Sequence, residues 1–319
     1  MTRLLADIGG TYTRFALRGA DGAPVEERTL ATADYPGPVE AARAYLAGLP
    51  GGVAPTEGVF AGAGPVEGDR IALTNCPWRF SVEATRRALG LRRLVAINDF
   101  VAQALAIPVL APDELIRLGD RGEPVPGRAI GVIGAGTGLG VAGLLPIPSG
   151  WQPLPSEGGH VSFAPGDEVE AAVLRVLRGR FAGHVSNERL VTGGGLVNLA
   201  TALAEIAGEG ELGPLEPADV TARAADGSCR FCAEAVRRFS AILGSAAGDL
   251  ALVLLARGGV FLAGGVVPRL GPLFDVGLFR ERFEAKGRFR DYLARVPTYL
   301  AARTDTGLLG TAALVLPAE

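Results

Sequence analysis

Apolar residues in this chain run in short blocks that end in glycine. Leu4-Leu5-Ala6 leads into Asp7-Ile8-Gly9-Gly10-Thr11, and alternating apolar positions resume at Phe15, Ala16 and Leu17. That pattern predicts a β-hairpin whose turn carries an acid, two bare backbone positions and hydroxyls. Further strand-like runs are Val59–Ala61, Ile71–Leu73 and Leu94–Ile97. A helix is expected between the last two, with Ser81 as N-cap and Gly90 as its stop. Another begins at Ala102–Ala106 and halts near Pro108.

A second strand start follows at Ala129–Ile133. It runs into Gly134-Ala135-Gly136-Thr137-Gly138-Leu139-Gly140 and then Val141–Leu145. Glu168–Leu177 reads as an amphipathic helix, with Val169, Ala172, Val173, Val176 and Leu177 on one face. Residues 231–256 are also helical in pattern, and Leu308–Leu316 predicts a helix that packs back onto the first half. Strands alternating with helices predict an α/β fold. Two strand–glycine-turn–strand units suggest a duplicated architecture, with a crossover in the Pro- and Gly-rich stretch Leu110–Arg128.

Composition changes the picture in three ways. At 319 residues, about two domains are expected. A net charge of −3 argues against a nucleic-acid partner. No apolar run is long enough for a transmembrane helix, and Asp7 comes too early for a signal-peptide core, so a cytoplasmic protein without a membrane partner is expected.

The three cysteines are Cys76, Cys229 and Cys232. Cys229-Arg-Phe-Cys232 has CxxC spacing, but a structural zinc site needs four ligands. A packing pair on a helix is the expectation. Lys286 is the only lysine, so no Gly-Lys pair exists and a Walker-type phosphate loop is excluded. Protein-kinase signatures are absent too.

A nucleotide site here must therefore be built from glycine backbone and hydroxyls. In the first turn, Gly9 and Gly10 let peptide N–H groups approach a phosphate, and Asp7 offers hard oxygens to Mg²⁺. In the Gly134–Gly140 segment, Leu139 stands where a dinucleotide fingerprint needs its third glycine, and a strand follows rather than a helix. The alternating glycines with Thr137 suit close contact with a polyphosphate. Ile97-Asn98-Asp99-Phe100 places an acid at a strand end, where helix capping is the competing reading. Glu157-Gly158-Gly159-His160 and Ser186-Asn187-Glu188-Arg189 add carboxylates, an amide and an imidazole, groups that pair with sugar hydroxyls. Leu262-Ala263-Gly264-Gly265 offers a flat surface to a purine.

Taken together, Asp7-Ile8-Gly9-Gly10-Thr11, Ile97-Asn98-Asp99-Phe100, the Gly134–Gly140 segment, Leu262-Ala263-Gly264-Gly265 and Gly307-Leu308-Leu309-Gly310 closely resemble bacterial glucokinase, of the hexokinase and actin-like ATPase superfamily. The resemblance covers essentially the whole chain. Repressor-and-sugar-kinase relatives carry a cysteine-rich zinc segment after their histidine, and nothing like it follows His160, which points to the zinc-free branch.

The resemblance implies two actin-like (ribonuclease H-like) α/β domains with a central cleft: a small one of residues 1–110 plus 300–319, and a large one of 111–299. It implies ATP and Mg²⁺ as cofactors and glucose as substrate, phosphorylated to glucose 6-phosphate. Asp99 corresponds to the catalytic base facing the 6-hydroxyl. Asn98, Glu157, His160 and Glu188 correspond to ligands of the other hydroxyls. Asp7 would organise Mg²⁺, and Gly9, Gly10, Thr11, Gly136, Thr137 and Gly138 would cradle phosphates. Gly264 and Gly265 would line the adenine side. A homodimer is also implied.

Alternatives stay open beside this reading: a related hexose or amino-hexose kinase, a non-sugar kinase of the same superfamily, and a non-catalytic sugar sensor. A carboxylate substrate would call for arginines rather than the Glu157, His160 and Glu188 set. A DNA-binding sensor would need a helix-turn-helix segment, and none is expected before the first strand.

Overall fold

The structure is a computed structural model that describes residues 2–316 except 65, 67, 74, 75, 211, 304 and 305. It divides into two compact units. The first comprises Met1–Ala111, Ile147–Pro155 and Asp305–Glu319, and the second Pro112–Pro146 and Ser156–Thr304.

The first unit is built on strands β1 (Arg3–Ile8), β2 (Tyr12–Arg18), β3 (Pro24–Ala31) and β4 (Glu57–Gly62), followed by a small hairpin of β5 (Arg70–Ala72) and β6 (Arg79–Ser81), and then β7 (Arg93–Asn98). The main sheet runs β3-β2-β1-β4-β7. β1 is central, antiparallel to β2 and parallel to β4. Leu4, Leu5 and Ala6 on β1 are fully buried, which is why that block is apolar on consecutive positions. On one face Phe15 stacks on Tyr45 at 5.5 Å between centroids and meets Phe60 edge-on. Each such side chain contributes roughly 1.5–3 kcal/mol on burial.

The second unit contains β8 (Leu115–Arg117), β9 (Ile130–Ala135), β10 (Leu139–Ile147), β12 (Gly259–Ala263) and β13 (Thr298–Ala301); β11 (Gly150–Ser156) belongs almost wholly to the first unit. Within the second unit the sheet order is β10-β9-β12-β13-β8. β9 is antiparallel to β10 and parallel to β12, as β1 is to β2 and β4. The duplication is thus topological: in each unit a central strand enters a glycine turn, returns as a hairpin, and has a parallel neighbour on its other side. β13 pairs with β12 in the second unit's sheet, so the chain returns to the first unit at residue 305 rather than 300.

The helix Val82–Ala88 starts as its sequence dictates, with the Ser81 hydroxyl accepting from Ala84 N–H and Gly90 past its end at φ +67°. The amphipathic helix runs Glu168–Arg180, three residues beyond the apolar stripe, and the long one Arg230–Leu254. The C-terminal helix is shorter than its apolar run, Gly307–Ala313. Around Gly134–Gly140 the strands reach further into the glycines than the pattern suggests. Gly134 pairs with Gly140 and Ala135 with Leu139, because ladder hydrogen bonds need no side chains, and only residues 136–138 form the turn.

The second unit's core surrounds the long helix, with Phe239, Phe279 and Phe283 fully buried. Beside it Glu170, 1% exposed, receives a bidentate pair from Arg282 at 2.7 and 2.9 Å. Two parallel bonds compensate a charge that would otherwise be costly to bury.

Candidate functional site

In the first unit, Asp7 stands near the end of the central strand, one residue before the turn Ile8–Tyr12. Gly9 N–H donates to the Tyr12 carbonyl at 3.0 Å and closes the turn. Fully buried Thr32 holds it from behind. Its hydroxyl donates to the Gly9 carbonyl at 2.8 Å, its backbone N–H donates to the Thr11 carbonyl at 3.0 Å, and Thr13 Oγ1 lies 2.9 Å from its Oγ1. Both loop carbonyls are therefore drawn to one side. The Gly10 and Thr11 N–H groups have no hydrogen-bond partner among the described residues, the arrangement an anion needs. Thr32 was not evident from sequence, because it lies outside any motif.

Asp7 is half-buried, and Arg14 Nη1 lies 4.0 Å from its Oδ2. Burial pushes its carboxyl above the usual range; Arg14 opposes this and the charge of Asp99 reinforces it. Gly307 opens the C-terminal helix directly against the Asp7 carboxylate. A bound cation would relieve both the desolvation and the Asp99 repulsion. Among the described residues no group of three or more His, Cys, Asp or Glu could hold a metal ion. A Mg²⁺ held by one carboxylate and completed by phosphate oxygens and water fits this donor set.

Asn98 ends β7 and caps the helix Asp99–Ala106. Its Oδ1 accepts from Phe100 N–H at 2.8 Å and Val101 N–H at 3.2 Å, and its Nδ2 donates to the Gly64 carbonyl at 3.0 Å. Capping is therefore done by Asn98. Asp99 occupies the first helical position, half-buried, with Oδ1 accepting from its neighbour Phe100 N–H at 2.8 Å.

In the second unit, Gly136–Gly138 form the β9–β10 turn, closed by Gly136 N–H to the Gly138 carbonyl at 2.8 Å. Gly193 N–H donates to the Gly136 carbonyl at 3.2 Å and ties the turn to the start of the helix Gly193–Ala207. Thr192 caps that helix through Gly195 N–H and donates its hydroxyl to the Glu188 carbonyl at 3.0 Å. The three glycines oppose helix formation, so composition alone does not announce this helix. The readable signal was Thr192 ahead of Leu196, Leu199, Ala200 and Leu203 at helical spacing.

Glu188 Oε2 accepts from Leu139 N–H at 3.0 Å. His160 lies between two carboxylates, with Nδ1 3.9 Å from Glu188 Oε1 and Nε2 3.9 Å from Glu157 Oε2. The segment that carries Glu157 and His160 is fastened by the Ser156 hydroxyl, which donates to the Val141 carbonyl at 2.8 Å. It lies flat on β10 because residue 159 is glycine: a β-carbon there would fall 1.9 Å from the Leu139 carbonyl oxygen. Gly264 and Gly265 follow β12, with Gly264 packed on Ala135 at the mouth of the glycine turn.

Asp7, Gly9, Gly10, Thr11, Asn98 and Asp99 thus belong to the first unit. Glu157, His160, Glu188, Gly136–Gly138, Gly264 and Gly265 belong to the second. Within the second unit, the three candidate sugar ligands converge on the base of the glycine turn.

Two α/β units that repeat the same hairpin with a parallel neighbour, each with a glycine turn and carboxylates beside it, define a phosphotransferase of the actin-like two-domain kinase class. The glucokinase family model matches residues 4–317. A glucokinase of Paramagnetospirillum magneticum is 50% identical over 313 residues, covering 98% of this chain and 97% of its own. The solved structure of a glucokinase from an Antarctic psychrotroph superimposes with a TM-score of 0.89 at 36% identity over 98% of each chain. A glucokinase of Balamuthia mandrillaris, solved in complex with glucose, shares the fold at a TM-score of 0.77 and 21% identity, over 98% of this chain and 92% of its own. The chain belongs to the glucokinase family.

Proposed function

We propose that this enzyme transfers the γ-phosphoryl group of ATP to the 6-hydroxyl of glucose, giving glucose 6-phosphate and ADP, with Asp99 as general base. The observation that carries the role of Asp99 is the division of labour at the end of β7. Asn98 is the N-cap, and Asp99, whose Oδ1 accepts from Phe100 N–H, is a half-buried carboxylate at a helix start, where the macrodipole favours negative charge.

Phosphoryl transfer proceeds through a loose transition state, so positioning and charge stabilisation dominate. Glu157, His160 and Glu188 hold the sugar hydroxyls and fix its orientation. Asp99 orients the 6-hydroxyl and accepts its proton as the bond to phosphorus forms. The turns Gly9–Thr11 and Gly136–Gly138 cradle the phosphate oxygens, with the N–H groups of Gly10 and Thr11 rather than that of Gly9 left to donate in the first, and Gly264 and Gly265 lie on the adenine side. Asp7 is the residue that would hold Mg²⁺, which when bound neutralises charge on the phosphates.

A site of carboxylates and imidazole rejects sugars that leave these groups unpaired, which favours one stereochemistry. Among the described residues no helix is long and apolar enough to cross a membrane. A cytoplasmic homodimer completes the proposal, its assembly testable by light scattering.

The decisive experiment follows ADP release on a hexose panel with ATP and Mg²⁺, with Asp99→Asn alongside. Turnover on glucose should fall by about 10²–10⁴ in the variant while calorimetric glucose binding persists. Near-normal turnover would remove Asp99 from the role. Glucose binding without turnover by the parent enzyme would instead identify a sugar sensor.

A further inference from the structure

The phosphoryl-transfer machinery uses neither Cys229 nor Cys232, yet the two are arranged for chemistry. Cys229 is the N-cap of the 25-residue helix Arg230–Leu254. Its Sγ accepts the Cys232 N–H at 3.4 Å. Cys229 is partly exposed, whereas Cys232 is fully buried in the second unit's core. N-cap and third helical positions lie on one face of the first turn, within the Cα separation that a disulfide spans. Both are free thiols in this structure.

We infer that Cys229 and Cys232 form a reversible dithiol–disulfide couple, with Cys229 the attacking sulfur, Cys232 the resolving sulfur and low-molecular-weight disulfides as its substrate class. Three features separate the roles. Only Cys229 is open to a reagent. Its sulfur faces N–H donors at a helix start, which favours a thiolate. Burial opposes ionisation of Cys229, but the Cys232 thiol, the N–H groups of Cys232 and Phe231, and Arg223 outweigh it and hold its pKa below the ordinary thiol value. Burial and the adjacent Cys229 push Cys232 the other way, with Asp219 adding to the rise and Arg223 opposing it. Cys232 therefore stays a thiol until its partner is already oxidised.

With oxidised glutathione the steps balance. The Cys229 thiolate attacks one sulfur of glutathione disulfide; that S–S bond breaks and one glutathione thiolate departs and takes up a proton. Cys232 then gives up its proton and attacks Cys229 Sγ, which breaks the mixed disulfide and expels the second glutathione, which takes up that proton. Two cysteine thiols are oxidised to one disulfide, and one disulfide is reduced to two thiols.

The test uses the full chain with Cys76→Ala as a common background, because Cys76 is a partly exposed free thiol in the first unit. The protein is equilibrated with graded ratios of reduced and oxidised glutathione, quenched in acid, alkylated after unfolding and weighed by mass spectrometry. The expected result is loss of both alkylatable thiols together, without retained glutathione, and full return on adding dithiothreitol. Adding Cys232→Ala should leave one glutathione trapped on Cys229. Adding Cys229→Ala should leave Cys232 unmodified. The alkylation rate of native Cys229 should also reach half its plateau at a pH below the ordinary thiol value of 9.0. Two thiols that remain alkylatable in excess oxidised glutathione, or glutathione trapped on Cys232 rather than Cys229, would overturn the assignment. These readouts are independent of sugar phosphorylation.

Discussion

Glu188 and Leu139 are joined by a hydrogen bond of 3.0 Å from the Leu139 backbone N–H to Glu188 Oε2. The bond fastens a candidate sugar-binding carboxylate to the residue where the glycine turn ends and β10 begins. Its other oxygen, Oε1, faces His160. One side chain therefore has two tasks, and two substitutions separate them. Glu188→Gln keeps an oxygen for Leu139 but loses the charge, so KM for glucose should rise by about tenfold or more while KM for ATP holds. Glu188→Ala leaves the Leu139 N–H unpaired, and both constants should rise. Initial-rate kinetics with each substrate varied decide this, and an unchanged glucose KM in both variants would remove Glu188 from the sugar site.

Thr32 is expected to act on nucleotide without touching it. Thr32→Val keeps the shape and removes the hydroxyl bond to the Gly9 carbonyl. An unpaired carbonyl costs about 1–3 kcal/mol, enough to reorient the loop. KM for ATP should rise by about tenfold with KM for glucose unchanged, and Thr32→Ser should restore it. A fall in Tm with both KM values intact would make Thr32 purely structural.

Asp7 exchanges stability for function. Burial raises its pKa in the folded state above the unfolded value, so the native protein holds that proton to higher pH than the unfolded chain does. Ionised Asp7 therefore destabilises the fold at neutral pH, and the penalty is withdrawn as pH falls through the raised value. Asp7→Asn should raise Tm of the nucleotide-free enzyme at neutral pH, with the gain shrinking as pH enters the carboxylate range. The same variant should lose Mg²⁺-dependent turnover. Calorimetry across pH checks the first part; a variant less stable than the parent at neutral pH would contradict it.

Gly310→Ala sets helix propensity against packing. Propensity alone would favour alanine by about 1 kcal/mol. However, a β-carbon at 310 would lie 1.6 Å from the Ala102 carbonyl oxygen, in the backbone of the helix that begins at Asp99. Backbone cannot give way cheaply, and overpacking costs roughly 1–3 kcal/mol or more. Tm should fall by about 2–4 °C per kcal/mol lost. Turnover should fall with it, because the displaced helix carries the proposed base. An unchanged Tm would show that the two helices separate without cost.

Much of this was legible from the chain alone. Ser81 and Gly90 bracketed a helix because capping and left-handed backbone are local chemistry. The hairpins at Gly9–Thr11 and Gly136–Gly138 were legible because alternation stops where glycines begin. The absence of any Gly-Lys pair, together with the glycine turns, narrows the phosphate chemistry to backbone and hydroxyl donors.

The sequence did not reveal that Thr32 braces a turn more than 20 residues upstream, that Asn98 and not Asp99 does the capping, or that a helix begins at Gly193-Gly194-Gly195. Nor did it show that β13 belongs with β12, so that the chain returns to its first unit only at residue 305. These depend on partners distant in the chain or on which of two equivalent polar groups a neighbour satisfies. Local propensity and periodicity are written in consecutive residues, so the sequence by itself determined the elements, the glycine turns and the residue types of the site. Tertiary structure decided which carbonyls are withdrawn, which carboxylate is shared and which thiol is exposed, because these follow from packing and desolvation, which exist only once the chain has closed on itself.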